Sequence, residues 1–381
     1  MKLGDVCTIV SGATPKTKTG EYWDGEIKWV TPAELDNDSH YISDTEKHLT
    51  EAGYKSASLH MMPKGTVLLT TRAPIGKVAI AAEEMSCNQG FKNLVCSSAI
   101  NNEFLYLYLK SRTAELQAMG RGATFKELSK KNVAGFEINL PAIDRQLDAV
   151  AKLTAVGNQI ARAKQQHDQL DALVKSRFVE MFDASRFERC VMGDLVANII
   201  SGTNVSGQQR PLEDGEYGVL RISAVTRGVF NPNEYKAVAN TANINMVHPH
   251  RGDLLFSRAN TSEMVGATAI VDADYDRLFL PDKLWRLDPV DGVESVFLKA
   301  LLSSPAVRSE MSKVSTGSSG SMQNISMAIF RKLSAFLPPL SLQRQFADFV
   351  AQVDKSRFVV LNEKISRIQL ISRRIAHRFS R

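Results

Sequence analysis

The sequence predicts an α+β fold made twice: two mixed α/β domains in a pseudo-two-fold arrangement, separated by a pair of long antiparallel coiled-coil helices. Three observations carry this. Short motifs recur in the same order in both halves of the 381 residues. Two stretches show the 3.5-residue apolar period of a coiled-coil seam. Runs rich in β-branched residues, bounded by Gly and Pro, precede the first seam.

The recurrence comes first, because a missed repeat misreads everything after it. "LGDVCTIVSG" (Leu3 to Gly12) returns as "MGDLVANIISG" (Met192 to Gly202), one residue longer. "KGTVLLTTRA" (Lys64 to Ala73) returns as "RGDLLFSRA" (Arg251 to Ala259), one residue shorter. Gly120 to Pro141 aligns with Gly317 to Pro338 without a gap at an offset of 197, sharing Gly120/Gly317, Ser129/Ser326, Leu140/Leu337 and Pro141/Pro338. Arg145-Gln146 and Arg344-Gln345 then open two helical patterns. So long a period marks a duplicated domain with a helix attached rather than a solenoid. The domains are expected at residues 1–142 and 184–340, and the helices at 143–183 and 341–381.

Inside the first copy, "MKLGDVCTIV" reads as a first strand, "GTVLLTT" and "KVAIAA" as strands around the Pro74–Gly76 turn, and "NLVCSS" as another. "NNEFLYLYLKSRTAELQAM" reads as a helix with Asn101 or Asn102 as N-cap, and "VESVFLKALLSSPAVRSEM" takes its place in the second copy. "TFKELSKK" reads as a short helix with Thr124 as N-cap and Glu127 completing a capping box, and "FEINLP" as a last strand. The first seam is Leu153, Val156, Ile160, Ala163, His167, Leu170 and Val174; the second is Phe358, Leu361, Ile365, Ile368, Ser372, Ile375 and Phe379. A polar seam residue usually fixes register, so His167 is not read as a ligand. Neither seam is stable exposed, so the two are expected to pair.

The chain is 44% hydrophobic and 23% charged, a globular composition, and no apolar run approaches the ~18 residues of a membrane span. Cys7, Cys87, Cys96 and Cys190 show no CxxC spacing, which suits reduced thiols in the cytoplasm. Net charge is +6, yet Lys355 to Arg381 holds eight Lys/Arg against Glu363 alone, so the other 354 residues sum to −1. That basic tail suits a phosphate backbone or an acidic protein face.

Catalytic signatures are missing. There is no GxxxxGK[ST], no GxSxG and no Asn-Pro-Pro-aromatic tetrad; "LPPL" (Leu337 to Leu340) lacks the Asn. Glu234-x-Lys236 has no acidic partner at a nuclease spacing. Asp272, Asp274 and Asp276 open like a calcium loop, but Arg277 and Lys283 stand where Gly and Glu are needed. His248-x-His250 beside Pro249 reads as a turn, not a metal site.

The order Gly-Asp…Ser-Gly, Lys/Arg-Gly-x-(Val/Leu)-Leu, "IGKVAIA" (Ile75 to Ala81), "NQGFKNL" (Asn88 to Leu94), "TFKELSKKNV" and Leu-Pro…Gln resembles the specificity subunit of type I restriction-modification systems, as does "LDALVKSRFVEMF" (Leu170 to Phe182). The resemblance spans the whole chain, duplication included. It implies two target recognition domains that read the halves of a split, asymmetric site on double-stranded DNA. The helices would set the spacing and dock two methyltransferase subunits, which direct adenine methylation, with restriction and motor subunits joining them. It implies no catalytic residue, no metal and no cofactor in this chain; S-adenosylmethionine, ATP and Mg would serve the partner subunits. Departures are Arg145 and Arg344 where the family often has Glu, and "PDKLW" (Pro281 to Trp285) in the place of "NQGFK".

Candidate DNA contacts are polar and basic loop residues, since Arg pairs with guanine and Gln with adenine. In the first domain these are Lys16, Lys18, Arg72, Lys77, Gln89, Lys92, Arg121, Thr124 and Lys126. In the second they are Gln208, Gln209, Arg210, Arg227, Arg258, Lys283, Arg286, Ser318, Ser319 and Ser321. Arg72 and Arg258 lead, because both follow the same strand in their copies; a phosphate contact or a structural salt bridge would serve equally well there. Two rivals stand beside this reading: a two-lobed adaptor that binds proteins, and a remnant of a fused methyltransferase-nuclease.

Overall fold

The computed structural model describes the chain except residues 73, 122–125, 240–243, 318–322 and 359–381. It divides into two compact units, Met1–Ala163 and Lys164–Leu361.

The first unit holds strands β1 (Cys7–Ser11), β2 (Trp23–Val30), β3 (Tyr41–Ile42), β4 (His48–Leu49), β5 (Val67–Leu69), β6 (Val78–Ala81), β7 (Ser86–Cys87) and β8 (Lys92–Cys96). Its helices are α1 (Leu3–Val6), α2 (Glu51–Lys55), α3 (Asn102–Ser111), α4 (Thr113–Met119), α5 (Lys130–Ala134) and the start of α6 (Ile143–Met181). The strands form a five-stranded sheet, β1-β8-β5-β6-β3, and a three-stranded one, β4-β2-β7. Strands β5 and β6 are buried throughout. Val67, Leu69, Val78 and Ile80 enter the core under α3 and α4, while Leu68, Ala79 and Ala81 enter a second core with Val30, Met62 and Phe91. A period of two with both faces covered produces such continuous apolar runs.

The second unit has β9 (Glu188–Val191), β10 (Val196–Ser201), β11 (Tyr217–Leu220), β12 (Tyr235–Val238), β13 (Leu254–Ser257), β14 (Ala259–Asn260), β15 (Thr268–Ile270), β16 (Leu278–Phe279), β17 (Leu284–Pro289), β18 (Gln323–Asn324) and β19 (Ser334–Leu337). Helices α7 (Met192–Leu195), α8 (Ser295–Leu302), α9 (Pro305–Val314), α10 (Met327–Arg331) and α11 (Leu340–Phe358) complete it. Its sheets β10-β17-β13-β15 and β12-β11-β16 follow the order of β1-β8-β5-β6 and β4-β2-β7, down to the parallel pairs β2/β7 and β11/β16, and the short pairs β14-β18 and β9-β19 join them. Strand β3 has no counterpart among the described residues of the second unit.

The duplication is written in main-chain hydrogen bonds. Leu3 N donates to Phe136 O and Met192 N to Leu333 O; Ala13 N donates to Cys87 O and Thr203 N to Leu280 O; Leu128 N donates to Thr71 O and Ile325 N to Arg258 O. Gly12 and Gly202 are required by the same close approach. A Cβ would lie 2.1 Å from Asn88 O in one unit and 1.9 Å from Leu280 O in the other.

Several expectations need correction. The first strand starts only at Cys7, because Asp5 caps a helical turn through Lys2 N (2.8 Å), as Asp194 does through Val191 N (3.0 Å). The Asn102–Met119 helix breaks at Arg112, as its counterpart breaks ahead of Pro305. The short helix after it begins at Lys130 rather than in "TFKE". Its N-cap is Ser129, whose hydroxyl accepts from Asn132 N (3.1 Å); Ser326 does the same for Ile329 N (3.3 Å), so this shared Ser is a shared cap. Glu127 joins Arg121 in a bridge instead of a capping box, and Thr124 lies outside the described residues. "FEINLP" forms only the Lys2–Glu137 bridge, whereas β19 is a true strand paired with β9.

Two alignments were out of register. By hydrogen bonding, Arg258 corresponds to Thr71, not Arg72. Gln146 corresponds to Gln343, not Gln345: the two bond to equivalent groups.

Helix α6 shows a burial stripe at the first seam's positions. Ala163 is buried, Leu153, Val156, Ile160, His167, Leu170 and Val174 are half-buried, and nearly every position between is exposed. Within the second unit α6 runs antiparallel to α11: Arg177 lies over Phe349 (5.8 Å), Phe178 against Phe346 (5.6 Å), and the Arg357 guanidinium reaches Asp171. His167 faces this polar end, its Nε2 3.8 Å from Asp171. The Phe358 side chain, the seam positions Leu361, Ile365, Ile368, Ser372, Ile375 and Phe379, and the basic tail beyond Arg357 lie outside what is described. No described helix is long and apolar enough to cross a membrane.

Candidate nucleic-acid interface

In the first unit, main-chain bonds gather four loops. Ala13 N to Cys87 O (3.0 Å) fastens residues 12–19 to the 87–91 turn. Thr71 N to Gly90 O (2.8 Å) and Leu128 N to Thr71 O (3.0 Å) add the end of β5 and the segment after α4. Asn88 shapes the turn: its Oδ1 accepts from Gly90 N (2.7 Å) and its Nδ2 donates to Thr14 Oγ1 (3.1 Å), while the Thr14 hydroxyl donates to Gln89 Oε1. An Asn two residues before a Gly is a turn signature, and it is the sequence signal for this role of Asn88.

Around this cluster Lys16, Lys18, Gln89, Arg121 and Lys126 are exposed. Lys77, Lys92 and, in part, Arg72 are engaged with the protein, and Thr124 lies outside the described residues. Lys77 donates to the carbonyls of Leu35 and Pro32 and tethers the neighbouring turn. Lys92 is 12% exposed; it donates to Phe91 O (3.3 Å) and lies 3.8 Å from Glu127, and burial draws its pKa below the usual lysine value while Glu127 opposes that. Arg72 stands 3.8 Å from the other oxygen of Glu127 and keeps a third of its side chain in solvent. Glu127 is therefore the hub of a Lys92–Glu127–Arg72 brace.

The second unit builds the same loop junction from other residues. Arg258 N donates to Lys283 O (3.1 Å), and β14 pairs with β18. The Arg258 guanidinium is consumed by Asp282, through Nε to the carbonyl (2.8 Å) and through a terminal nitrogen to the carboxylate (3.2 Å). Lys283 is half-exposed. Arg286 lies within β17, held by Asp288 (3.0 Å) and near Asp253 (4.0 Å), not on a loop. Arg210 grips Glu216 with two bonds, 2.7 and 2.6 Å, which with Glu213 N–H hold the Glu216 carboxyl down at about 2. Gln208 bridges Ala237 by main chain on the edge of the β12-β11-β16 sheet; its side chain, Gln209 and Arg227 are exposed. Ser318, Ser319 and Ser321 lie outside the described residues.

The residues weighed against a metal or nuclease role are engaged locally. Asp272 accepts from the Tyr275 hydroxyl (2.9 Å), Asp274 from Arg251 N (2.9 Å), and Glu234 pairs with Arg221 (3.0 Å). His248 Nδ1 lies 2.7 Å from Leu278 O.

Among the described candidates Lys16, Lys18, Gln89, Arg121 and Lys126 of the first unit and Gln208, Gln209 and Arg227 of the second stay exposed, and the strand-end junction is built twice from different side chains. That suits base edges and phosphates better than reaction chemistry. The chain is 32% identical over 252 residues to the MjaIX type I restriction enzyme specificity subunit of Methanocaldococcus jannaschii, covering 60% of this chain. It is 25% identical over 189 residues to the EcoEI specificity subunit of Escherichia coli, covering 48% of this chain and 31% of that one. The chain spans 58% of the length of the M. jannaschii relative. Among solved structures, the S subunit of a type I restriction-modification system from M. genitalium shares the fold at a TM-score of 0.56 and 13% identity, covering 100% of this chain and 95% of that one. A chain from a study of complex assembly and conformational transition in the type I restriction-modification system gives 0.57 and 19%, covering 100% and 97%. The family model for the type I restriction modification DNA specificity domain matches residues 1–172 and 192–370, so both halves of the chain belong to that family.

Proposed function

We propose that the chain is the sequence-reading subunit of a type I restriction-modification enzyme, acting on double-stranded DNA in the cytoplasm. Residues 1–142 and 184–340 each read one half of a two-part asymmetric site, and the helices at 143–183 and 341–381 set the unread spacer. The single observation that supports it best is the loop junction made twice on one main-chain skeleton but with different side chains, which suits two different base sets held by one scaffold. Family membership favours this over the adaptor and fused-enzyme readings. Two methyltransferase subunits and the restriction subunits are the proposed partners. They supply methyl transfer and cleavage with S-adenosylmethionine, ATP and Mg, while this chain carries recognition alone. The basic tail is assigned to an acidic face of a methyltransferase subunit rather than to phosphate.

Exposure and local pairing support a division of the candidates. Lys16, Lys18, Gln89, Arg121, Lys126, Gln208, Gln209, Arg227 and Lys283 are the proposed DNA contacts, with Arg72 as a partly committed phosphate contact. Lys77, Lys92, Arg210, Arg258 and Arg286 are proposed as braces of the loops. Half-sites in neighbouring major grooves lie about 10 base pairs apart. Seven residues inserted at matched positions of both helices should lengthen the spacer and leave both half-site sequences alone, as read by sequencing methylated sites. Altered half-sites with an unchanged spacer would contradict the reading. Purified chain without its partners should transfer no label from S-adenosylmethionine to DNA.

A further inference from the structure

Each unit contains one buried glutamine that the recognition reading does not use. Gln146 and Gln343 are both 0% exposed, one helical turn into α6 and α11. The Gln146 Oε1 accepts from Asn101 N (2.9 Å), and its Nε2 donates to Ala99 O (3.0 Å) and Pro141 O (2.8 Å). The Gln343 Oε1 accepts from Glu294 N (2.9 Å), and its Nε2 donates to Gly292 O (3.1 Å) and Pro338 O (2.8 Å). The contacted segments read "AIN" and "GVE", so two unlike sequences arrive at the same three bonds.

We infer that Gln146 and Gln343 are positioning residues that lock the angle at which each long helix leaves its recognition unit, and so keep the DNA spacer strict. The inference rests on the reading given under Proposed function. The chemistry favours a lock over filler. One amide joins three main-chain groups from two segments: the turn before α3 or α8, and the proline that precedes the helix. A buried amide bonded three ways tolerates little rotation, because tilting the helix breaks several bonds at once and leaves buried main-chain groups unpaired. An apolar side chain of equal length fills the space but permits sliding.

The test uses the complex with partner methyltransferase subunits and a plasmid library. The library carries the half-sites at the cognate spacer and at one base pair more or fewer. Gln146→Met and Gln343→Met, singly and together, keep the volume and remove the bonds. The freed restraint is on the order of one buried hydrogen bond, so methylation at off-length sites relative to cognate should rise about tenfold. Half-site sequences should not change. Should the Met pair fail to fold, Gln146→Glu keeps the acceptor for Asn101 N–H and loses both donations; it should loosen the spacing to a smaller extent. Unchanged spacing in soluble variants, even with a lower melting temperature, overturns the inference, as does a changed half-site. A wild-type complex that methylates no two-part site defeats the functional reading itself, and this inference with it.

Discussion

The two units share a skeleton and differ in how they spend their charge. Both tie their terminal helical turn, their close-approach glycine and their buried glutamine to equivalent main-chain groups. Around this, the first unit leaves Lys16, Lys18, Arg121 and Lys126 exposed and braces its loops through one hub, Glu127. The second closes three of its guanidinium groups into local pairs, Arg210 with Glu216, Arg258 with Asp282 and Arg286 with Asp288, and leaves Arg227 exposed. Main-chain geometry preserves a fold through duplication, while the side chains above it are free to diverge, as the proposed reading of two unlike half-sites requires.

The largest effect should come from the helix pair of the second unit. Phe182 packs on Phe178 (5.0 Å), Phe297 (5.0 Å) and Phe346 (5.4 Å) and is 4% exposed. Phe182→Ala should cost about 3–5 kcal/mol in chemical denaturation. Gly12→Ala and Gly202→Ala come next, at about 1–3 kcal/mol or more, and by similar amounts if the two units are equivalent. A large cost at one and none at the other would break the equivalence.

Arg258→Ala and Arg72→Ala sharpen the contrast between brace and contact. The first should lower stability by about 1–2 kcal/mol, since it strips a part-buried guanidinium from Asp282. The second should cost under about 0.5 kcal/mol, because its pair with Glu127 is long and exposed. Yet it should weaken all DNA alike and flatten the salt dependence in gel shifts.

The smallest effect is acidic. Glu216 titrates at about 2 when folded against an ordinary 4.5, chiefly through Arg210. A depressed carboxyl contributes stability above the unfolded value and loses it as pH falls through the folded one. Arg210→Ala should therefore flatten the melting-temperature profile between pH 4.5 and 2.

Where the sequence was legible, local chemistry was the reason. The 3-4 spacing of Leu153 through Val174, the Asn101 cap and the Ser129/Ser326 pair all depend on neighbours within a few positions. What misled was similarity of letters without the bonds. Arg72 and Arg258 matched as "RA", and Gln146 and Gln345 as "RQ", yet the true equivalents are one and two residues away. Pairings over long separations were invisible: nothing in "FSRA" announces Asp282, and nothing in "TFKE" announces that Glu127 serves Arg72 and Lys92.

The most direct test of two readers on one scaffold changes one unit at a time and sequences the methylated sites made by the complex. Gln89→Ala with Arg121→Ala should relax positions in one half-site only, and Gln209→Ala with Arg227→Ala positions in the other only, at an unchanged spacer. Either pair altering both halves alike would contradict the account.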